Sequence, residues 1–255
     1  MTACLHASVC PRVTTGMHSP RFSIVIPARD EERFIGACLE SIRIAALPLP
    51  NPPEVIVVLN RCTDRTEAIA RDFGARILRE DARILAAIRN AGARAATGEL
   101  LVTIDADSTM TPGTLVAIDR ALSSGTTVGG GTLIRPDRTS AGIRATLFFF
   151  NLALLITRLS GGLFWCSLRD FHAIGGFDES LISAEDVDFA RRLRAYGKRR
   201  RRPFSTLRGG HIVTSCRKFD AFGDWCAFTR PRLMWRLLTG RNRPSADAFY
   251  YDFRR

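Results

Sequence analysis

The sequence lacks the features that define several protein classes. It has no CxxC pair, and its seven cysteines (Cys4, Cys10, Cys38, Cys62, Cys166, Cys216 and Cys226) are odd in number and scattered. That pattern excludes a zinc ribbon or a disulfide-stapled framework and points to reduced thiols and the cytoplasm. No apolar run is long enough to cross a bilayer. The longest, Leu147 to Ile156, is broken by Asn151 and stops before Arg158, whereas a span needs roughly 20 residues. The first twenty residues have neither periodicity nor the apolar core of a signal peptide, and read as a disordered lead. Internal repeats and low-complexity tracts are missing as well. Acidic residues are scarce, with 25 Asp and Glu against 37 Lys and Arg, for a net charge of +12. Such a balance favours anionic partners: phosphorylated substrates, an acidic membrane face or nucleic acid. No DNA- or RNA-binding signature accompanies that charge.

What is present is an ordinary globular composition, 46% hydrophobic and 24% charged over 255 residues, enough for one α/β core with a helical appendage. Phe22 to Pro27 and Glu54 to Leu59 are short β-branched runs that read as buried strands. Ala75 to Leu78 is a weaker strand and Leu100 to Ile104 a strong one. Between them, helices are expected over 31–46, from the Asp64–Glu67 capping-box spacing to Phe73, and over 82–97. Thr111 and Pro112 open another that runs to Ser123. Short connections between alternating strands and helices predict a mostly parallel sheet covered on both faces. The second half is less regular, with an apolar helix over about 140–160 and a helix from Ala184 that ends at Gly197. The run Lys198–Arg202 reads as a solvated turn or surface strand. The expected organisation is a lead over 1–20, an α/β domain over 21–215, and a basic aromatic helical segment over 216–255.

Ligands of such sheets sit beyond the carboxyl ends of the strands, and there the polar residues collect. Ala28, Arg29, Asp30 and Glu31 follow the first strand; Asn60, Arg61 and Asp64 follow the second; Asp105 and Asp107 follow the fourth. Two carboxylates two residues apart project to one side and repel unless a cation lies between them. Mg²⁺ or Mn²⁺ would accept both and fill its remaining positions with water and phosphate oxygens. A solvated turn is the alternative.

In this order and spacing, the sequence resembles the family 2 glycosyltransferases of the GT-A fold over roughly residues 22–217. The matching segments run from Ser23 to Glu32, from Val55 to Thr66, Arg89-Asn-Ala-Gly92 with Ala96-Thr-Gly98, Asp105-Ala-Asp107, Ile174 to Asp178, and Glu185 to Leu193. The resemblance implies a Rossmann-like domain that transfers a sugar from a nucleotide-sugar donor, with inversion, to a sugar, lipid-linked or small-molecule acceptor. It implies that Pro27, Ala28, Arg29 and Glu31 line the nucleotide pocket and that Asp64 belongs to the turn after the second strand. Asn60 stands near a position often held by a base-reading carboxylate. Arg89 and Asn90 would help hold the donor, with helix structure as the other reading. Asp105 and Asp107 would bind Mn²⁺ or Mg²⁺, joined by His211 unless that histidine is structural. Glu185-Asp186 matches the family's E-D motif, which makes Asp186 the candidate base for the acceptor hydroxyl; both acids also suit a helix start. Trp165 is either a wall for a sugar or part of the core.

Two other readings compete. A nucleotidyltransferase uses a similar scaffold and paired acids, but the loop Pro27-Ala-Arg-Asp-Glu-Glu32 lacks its glycines. A basic nucleic-acid-binding protein fits the charge, although acids at the strand ends oppose a phosphate backbone there. The aromatic and basic residues after 216 also suit an anionic membrane surface, with Pro231 dividing any helix.

Overall fold

A computed structural model describes residues 19–157 and 160–230. The expected lead, but for its last two residues, and the segment beyond Arg230, including Leu233, Trp235 and Leu237, lie outside the described residues. In chain order the first half is β1 (Phe22–Ala28), α1 (Ile35–Ala46), β2 (Glu54–Leu59), α2 (Thr66–Asp72), β3 (Arg76–Arg79), α3 (Leu85–Ala95), β4 (Leu100–Ile104), β5 (Ser108–Met110) and α4 (Thr114–Ser123). The second half is β6 (Gly129–Pro136), α5 (Ala141–Thr157), β7 (Gly161–Ser167), α6 (Leu168–Ala173), α7 (Glu185–Arg199), β8 (Phe204–Thr214), α8 (Arg217–Phe222) and α9 (Cys226–Thr229).

Among the described residues eight strands form one sheet in the order β3-β2-β1-β4-β7-β6-β8-β5. β1 to β4 run parallel to one another. β7 runs antiparallel between β4 and β6, β8 is parallel to β6, and β5 is antiparallel to β8. Six strands therefore share one direction and the sheet is mostly parallel, as the alternation of elements predicts. All seven residues of β1 are buried, because helices cover both of its faces. Ile24 and Ile26 pack with Ile35, Leu39 and Leu115 on one face. Val25 joins Phe164, Phe171, Phe177 and Phe189 on the other, where the Phe177 and Phe189 rings stack at 4.3 Å. α3 presses close on that face, since a Cβ on Gly92 would lie 2.3 Å from Val25 Cγ1. The glycine of the Arg89-Asn-Ala-Gly92 segment is thus a packing requirement.

Several expectations shift. α2 begins at Thr66 and α4 at Thr114, each two or three residues later than their sequence signals. Asp64 does not close a capping box. Its oxygens accept from Thr66 N and, across the loop, from Glu32 N, both at 2.9 Å, while Glu67 pairs with Arg71 and Arg79. α7 passes through Gly197 to Arg199. Within the basic run, Arg200 lies 3.7 Å from the Tyr196 ring centroid and Arg202 pairs with buried Asp170 at 2.7 Å. Trp165 is wholly buried in β7 and donates through Nε1 to Gly131 O at 3.1 Å, so it is core.

Candidate active site

The carboxyl ends of β1, β2, β4 and β8 open on a cleft, the place where sheets of this kind take their ligands. Register explains what gathers there. Ala28 pairs with Leu59, so Pro27, Ala28 and Arg29 lie beside Asn60, whose N–H donates to Ala28 O at 2.8 Å. All four line the cleft. Asn60 Nδ2 donates to Glu80 O and Ala82 O at 2.6 and 2.9 Å, so its amide holds the connection between β3 and α3 in place. Leu85 and Ile88 from the start of α3 add an apolar wall.

β4 ends at Ile104 and delivers Asp105 and Asp107 to the cleft, with Ala106 buried between them. Opposite Ser108 stands Thr214, and Ser215 N donates to Asp107 O at 3.1 Å. This pairing brings the end of β8, and with it Arg217 and Lys218, over the two aspartates. Arg217 pairs with both oxygens of Glu31 at 2.6 and 2.8 Å and with Asp107 Oδ2 at 2.9 Å. From the other side, Arg89 donates through Nη2 to Asp105 Oδ1 at 2.7 Å and through Nη1 to Glu185 Oε1 at 3.1 Å and to Asp186. Arg89 is nearly sealed off, and its guanidinium lies 5.2 Å from the Phe177 ring centroid.

These contacts set the electrostatics. Burial opposes the charge on Arg89, but Asp186, Asp105 and Glu185 outweigh it and hold the guanidinium firmly protonated. Burial also raises Glu185, with Asp186 adding to it and Arg89 opposing, so that its carboxyl is pushed up to about 7. Asp186 is raised by burial against the pull of Arg89. Its side chain is 37% accessible, yet it sits in a recess with protein dense around it, which reconciles access with a raised pKa. Burial lowers Lys218, against Asp107 and Asp105. Cys38, buried beneath the aspartates, has its thiol pushed up by burial and by their charge, so it is inert.

Not every residue singled out in the sequence reaches this cleft. Asn90 is consumed by structure: Phe177 N donates to its Oδ1, and its Nδ2 donates to Phe177 O and Glu179, each at 2.9 Å. Asp64 groups with Asp30 and Cys62, a set whose ligand atoms lie within 4.8 Å of one another. Those oxygens already accept from Thr63, Thr66 and Glu32, which ties the loops after β1 and β2 together. His211 lies three residues before Thr214, exchanges hydrogen bonds with Thr111 at the far end of β5, and is not among the lining residues. Conversely, the cleft includes Arg217 and Lys218, which no motif in the sequence marks. The signal was the same strand-end rule that found Asp105, obscured because β8 carries glycines and mixed polarity and does not read as a strand.

The donor set fits a divalent ion. Asp105 and Asp107 offer hard oxygens, and each has one oxygen outside its ion pair with Arg89 or Arg217. Among the described residues, five carboxylates (Glu31, Asp105, Asp107, Glu185, Asp186) face four cations (Arg29, Arg89, Arg217, Lys218). Fully ionised, the cluster is short by one positive charge.

A sheet of this order, with an acidic ligand edge at the ends of β1, β2 and β4, defines the GT-A class of α/β transferase domains. Residues 23–175 match the family model described as glycosyl transferase family 2, and the chain belongs to that family. That membership favours sugar transfer over nucleotidyl transfer. Among named relatives, “Putative glycosyltransferase EpsH” of Bacillus subtilis (strain 168) is 29% identical over 101 residues, 38% of this chain and 28% of its own length. The mannosyltransferase PcManGT from Pyrobaculum calidifontis, solved with GDP-Man and Mn²⁺, superposes with TM-score 0.62 at 22% identity, covering 86% of this chain and 61% of that one. Glucosyl-3-phosphoglycerate synthase from Mycobacterium tuberculosis, solved with Mn²⁺, UDP and glucosyl-3-phosphoglycerate, gives 0.56 at 20%, covering 86% and 80%. S. aureus TarS gives 0.59 at 16%, covering 91% and 42%. These solved structures share the fold. The chain spans under a third of the EpsH protein and under half of TarS.

Proposed function

We propose that this chain transfers a sugar from a nucleotide-sugar donor to an acceptor hydroxyl, with inversion. The observation that carries the reading is one cleft at the strand ends. It joins a pocket lined by Pro27, Ala28, Arg29 and Asn60 to paired aspartates and to Glu185 of α7, with Asp186 held next to it by Arg89. Asp105 and Asp107 would hold Mn²⁺ or Mg²⁺; when bound, the ion offsets charge on the departing diphosphate. GDP-Man with Mn²⁺ in PcManGT and UDP with Mn²⁺ in the Mycobacterium tuberculosis synthase support that assignment.

Asp186 takes the proton from the acceptor hydroxyl as the oxygen attacks the anomeric carbon. The bond from that carbon to the diphosphate breaks, and its electron pair leaves with the nucleoside diphosphate. One displacement from the face opposite the leaving group inverts the anomeric centre. The raised pKa of Asp186 improves it as a base, and Arg89 holds it beside Glu185 and Asp105. A panel of nucleotide sugars tests the reading, with donor consumption and thermal shift measured with and without Mn²⁺. No stabilisation and no turnover with any donor would contradict it.

A lipid-linked acceptor, presented at an anionic membrane face, is the acceptor class favoured by one observation. Phe148, Phe149 and Leu152 of α5 stand exposed beside Trp225 and Phe228, with the Phe149 and Phe228 rings 5.7 Å apart. No helix of the described residues is long and apolar enough to span a membrane, so any such contact is interfacial. Sedimentation with anionic vesicles that reverses as salt rises is the expected result; binding to duplex DNA without vesicle binding would favour the nucleic-acid reading.

A further inference from the structure

The acidic cleft carries its own cation. Arg217 is the first residue of α8, set by the end of β8 directly over Glu31 and Asp107. Its fork is bidentate on Glu31 and its Nη2 is shared with Asp107 Oδ2, while its guanidinium lies 5.0 Å from the Phe34 ring centroid. All three ionic groups are largely withdrawn from water: Arg217 is 16% exposed, Glu31 5% and Asp107 12%. A fixed guanidinium in a water-poor recess interacts more strongly with a carboxylate than a surface arginine does.

This placement has a consequence for any ion bound between Asp105 and Asp107. An ion there and a guanidinium already on Asp107 are like charges sharing one carboxylate, so each weakens the other. Glu31 keeps Arg217 in place when Asp107 is taken. The other group with the chemistry to draw the fork aside is a diphosphate, whose oxygens match it bidentately.

We propose that Arg217 is a tethered counter-ion that competes with the divalent ion for Asp107. The ion then binds well only together with a nucleoside diphosphate, whose oxygens take over the guanidinium. This rests on the reading that Asp105 and Asp107 hold the ion. Because such coupling is reciprocal, the ion tightens the nucleotide by the factor by which the nucleotide tightens the ion. Ordinary ligation of an ion by diphosphate oxygens also couples the two, but it leaves the affinity for the ion alone independent of residue 217. That difference makes the proposal testable.

The experiment is a titration of the full chain with Mn²⁺, reading free Mn²⁺ by electron paramagnetic resonance, without nucleotide and with saturating UDP or GDP. Wild type, Arg217→Gln and Arg217→Lys are compared, with thermal melts confirming that each is folded. Arg217→Gln is expected to bind Mn²⁺ alone about tenfold more tightly than wild type, and its gain on adding nucleotide to shrink correspondingly, within the usual 5–150-fold range of such couplings. Arg217→Lys keeps the charge but not the fork, so its affinity should fall between the two. It also carries the test if the glutamine variant does not fold. Equal or weaker Mn²⁺ binding in the folded variants, alongside nucleotide-dependent Mn²⁺ binding in wild type, overturns the proposal and leaves the metal site standing. No Mn²⁺ binding in any protein, with or without nucleotide, overturns both.

Discussion

Arg89 Nη2 donates to Asp105 Oδ1 at 2.7 Å, and this contact ties the middle of α3 to the residue that follows β4. The same guanidinium reaches Glu185 and Asp186 at the start of α7. A side chain in the Arg89-Asn-Ala-Gly92 segment therefore assembles acids that lie 80 residues apart in the chain. It does so from a position 3% exposed, where an unpaired charge would not be tolerated.

Replacing Arg89 with methionine should leave three carboxylates facing one another. Losing one partner of a buried ionic network costs about 3–5 kcal/mol. At roughly 2–4 °C per kcal/mol for a chain of this size, the melting temperature should drop by about 6–20 °C. Added Mn²⁺ should recover part of that loss by supplying positive charge. A melting temperature unchanged from wild type would remove Arg89 as the organiser of the cluster.

Glu185 gives stability a definite pH dependence. Burial beside Asp186 lifts its carboxyl from the ordinary 4.5 to about 7. Across that window the folded chain keeps a proton that the unfolded chain has lost, so stability falls as pH rises from about 4.5 to 7. In metal-free buffer, Glu185→Gln should flatten this slope and gain on wild type at pH 8 relative to pH 5. Urea denaturation at several pH values measures it, and a variant with the wild-type slope would place the titration elsewhere.

Gly130 is a test of the sheet. A Cβ there would lie 1.6 Å from Ser205 O, a collision with backbone that no rotamer relieves. Gly130→Ala should cost at least the 1–3 kcal/mol typical of overpacking, because β6 must part from β8 to make room. Thermal unfolding reads the loss. A neutral effect would mean that the two strands do not approach so closely.

How much of this was legible follows from where side chains declare themselves. β1, β2 and β4 are β-branched runs flanked by turns, and they were read within a residue or two. Their ends located Pro27, Ala28, Arg29, Asn60, Asp105 and Asp107, all of which line the cleft. β6, β7 and β8 escaped, because Gly129-Gly-Gly131 and Gly209-Gly210 carry no side-chain pattern. The glycines of β6 answer to neighbouring backbone, at Trp165, Ser205 and Ser160, that a local reading cannot see. Missing β8 hid Arg217 and Lys218. It also left His211 as a candidate ligand although it stands at the Thr111 end of β5. Asn90 looked like a donor ligand because its tie to Phe177 lies 87 residues away.

Asp186→Asn separates a base from a helix-start acid. Asparagine can still cap and complement the start of α7 but cannot take a proton from a hydroxyl at neutral pH. With a competent donor and acceptor, kcat should fall about 10²–10⁴-fold with little change in donor affinity. Turnover within a few-fold of wild type would leave only the helix-end contribution, about 0.3–1 kcal/mol, and move the base to Glu185 or Asp188.

The most direct test of the carboxylate-edge donor site is calorimetric titration of the nucleoside diphosphates UDP and GDP, with Mn²⁺ and with EDTA, into wild type and Asp107→Ala. One of these nucleotides should bind tightly with Mn²⁺, and EDTA and the Asp107 substitution should each remove most of that affinity. Equal affinity with and without metal, unchanged in Asp107→Ala, would contradict that donor site.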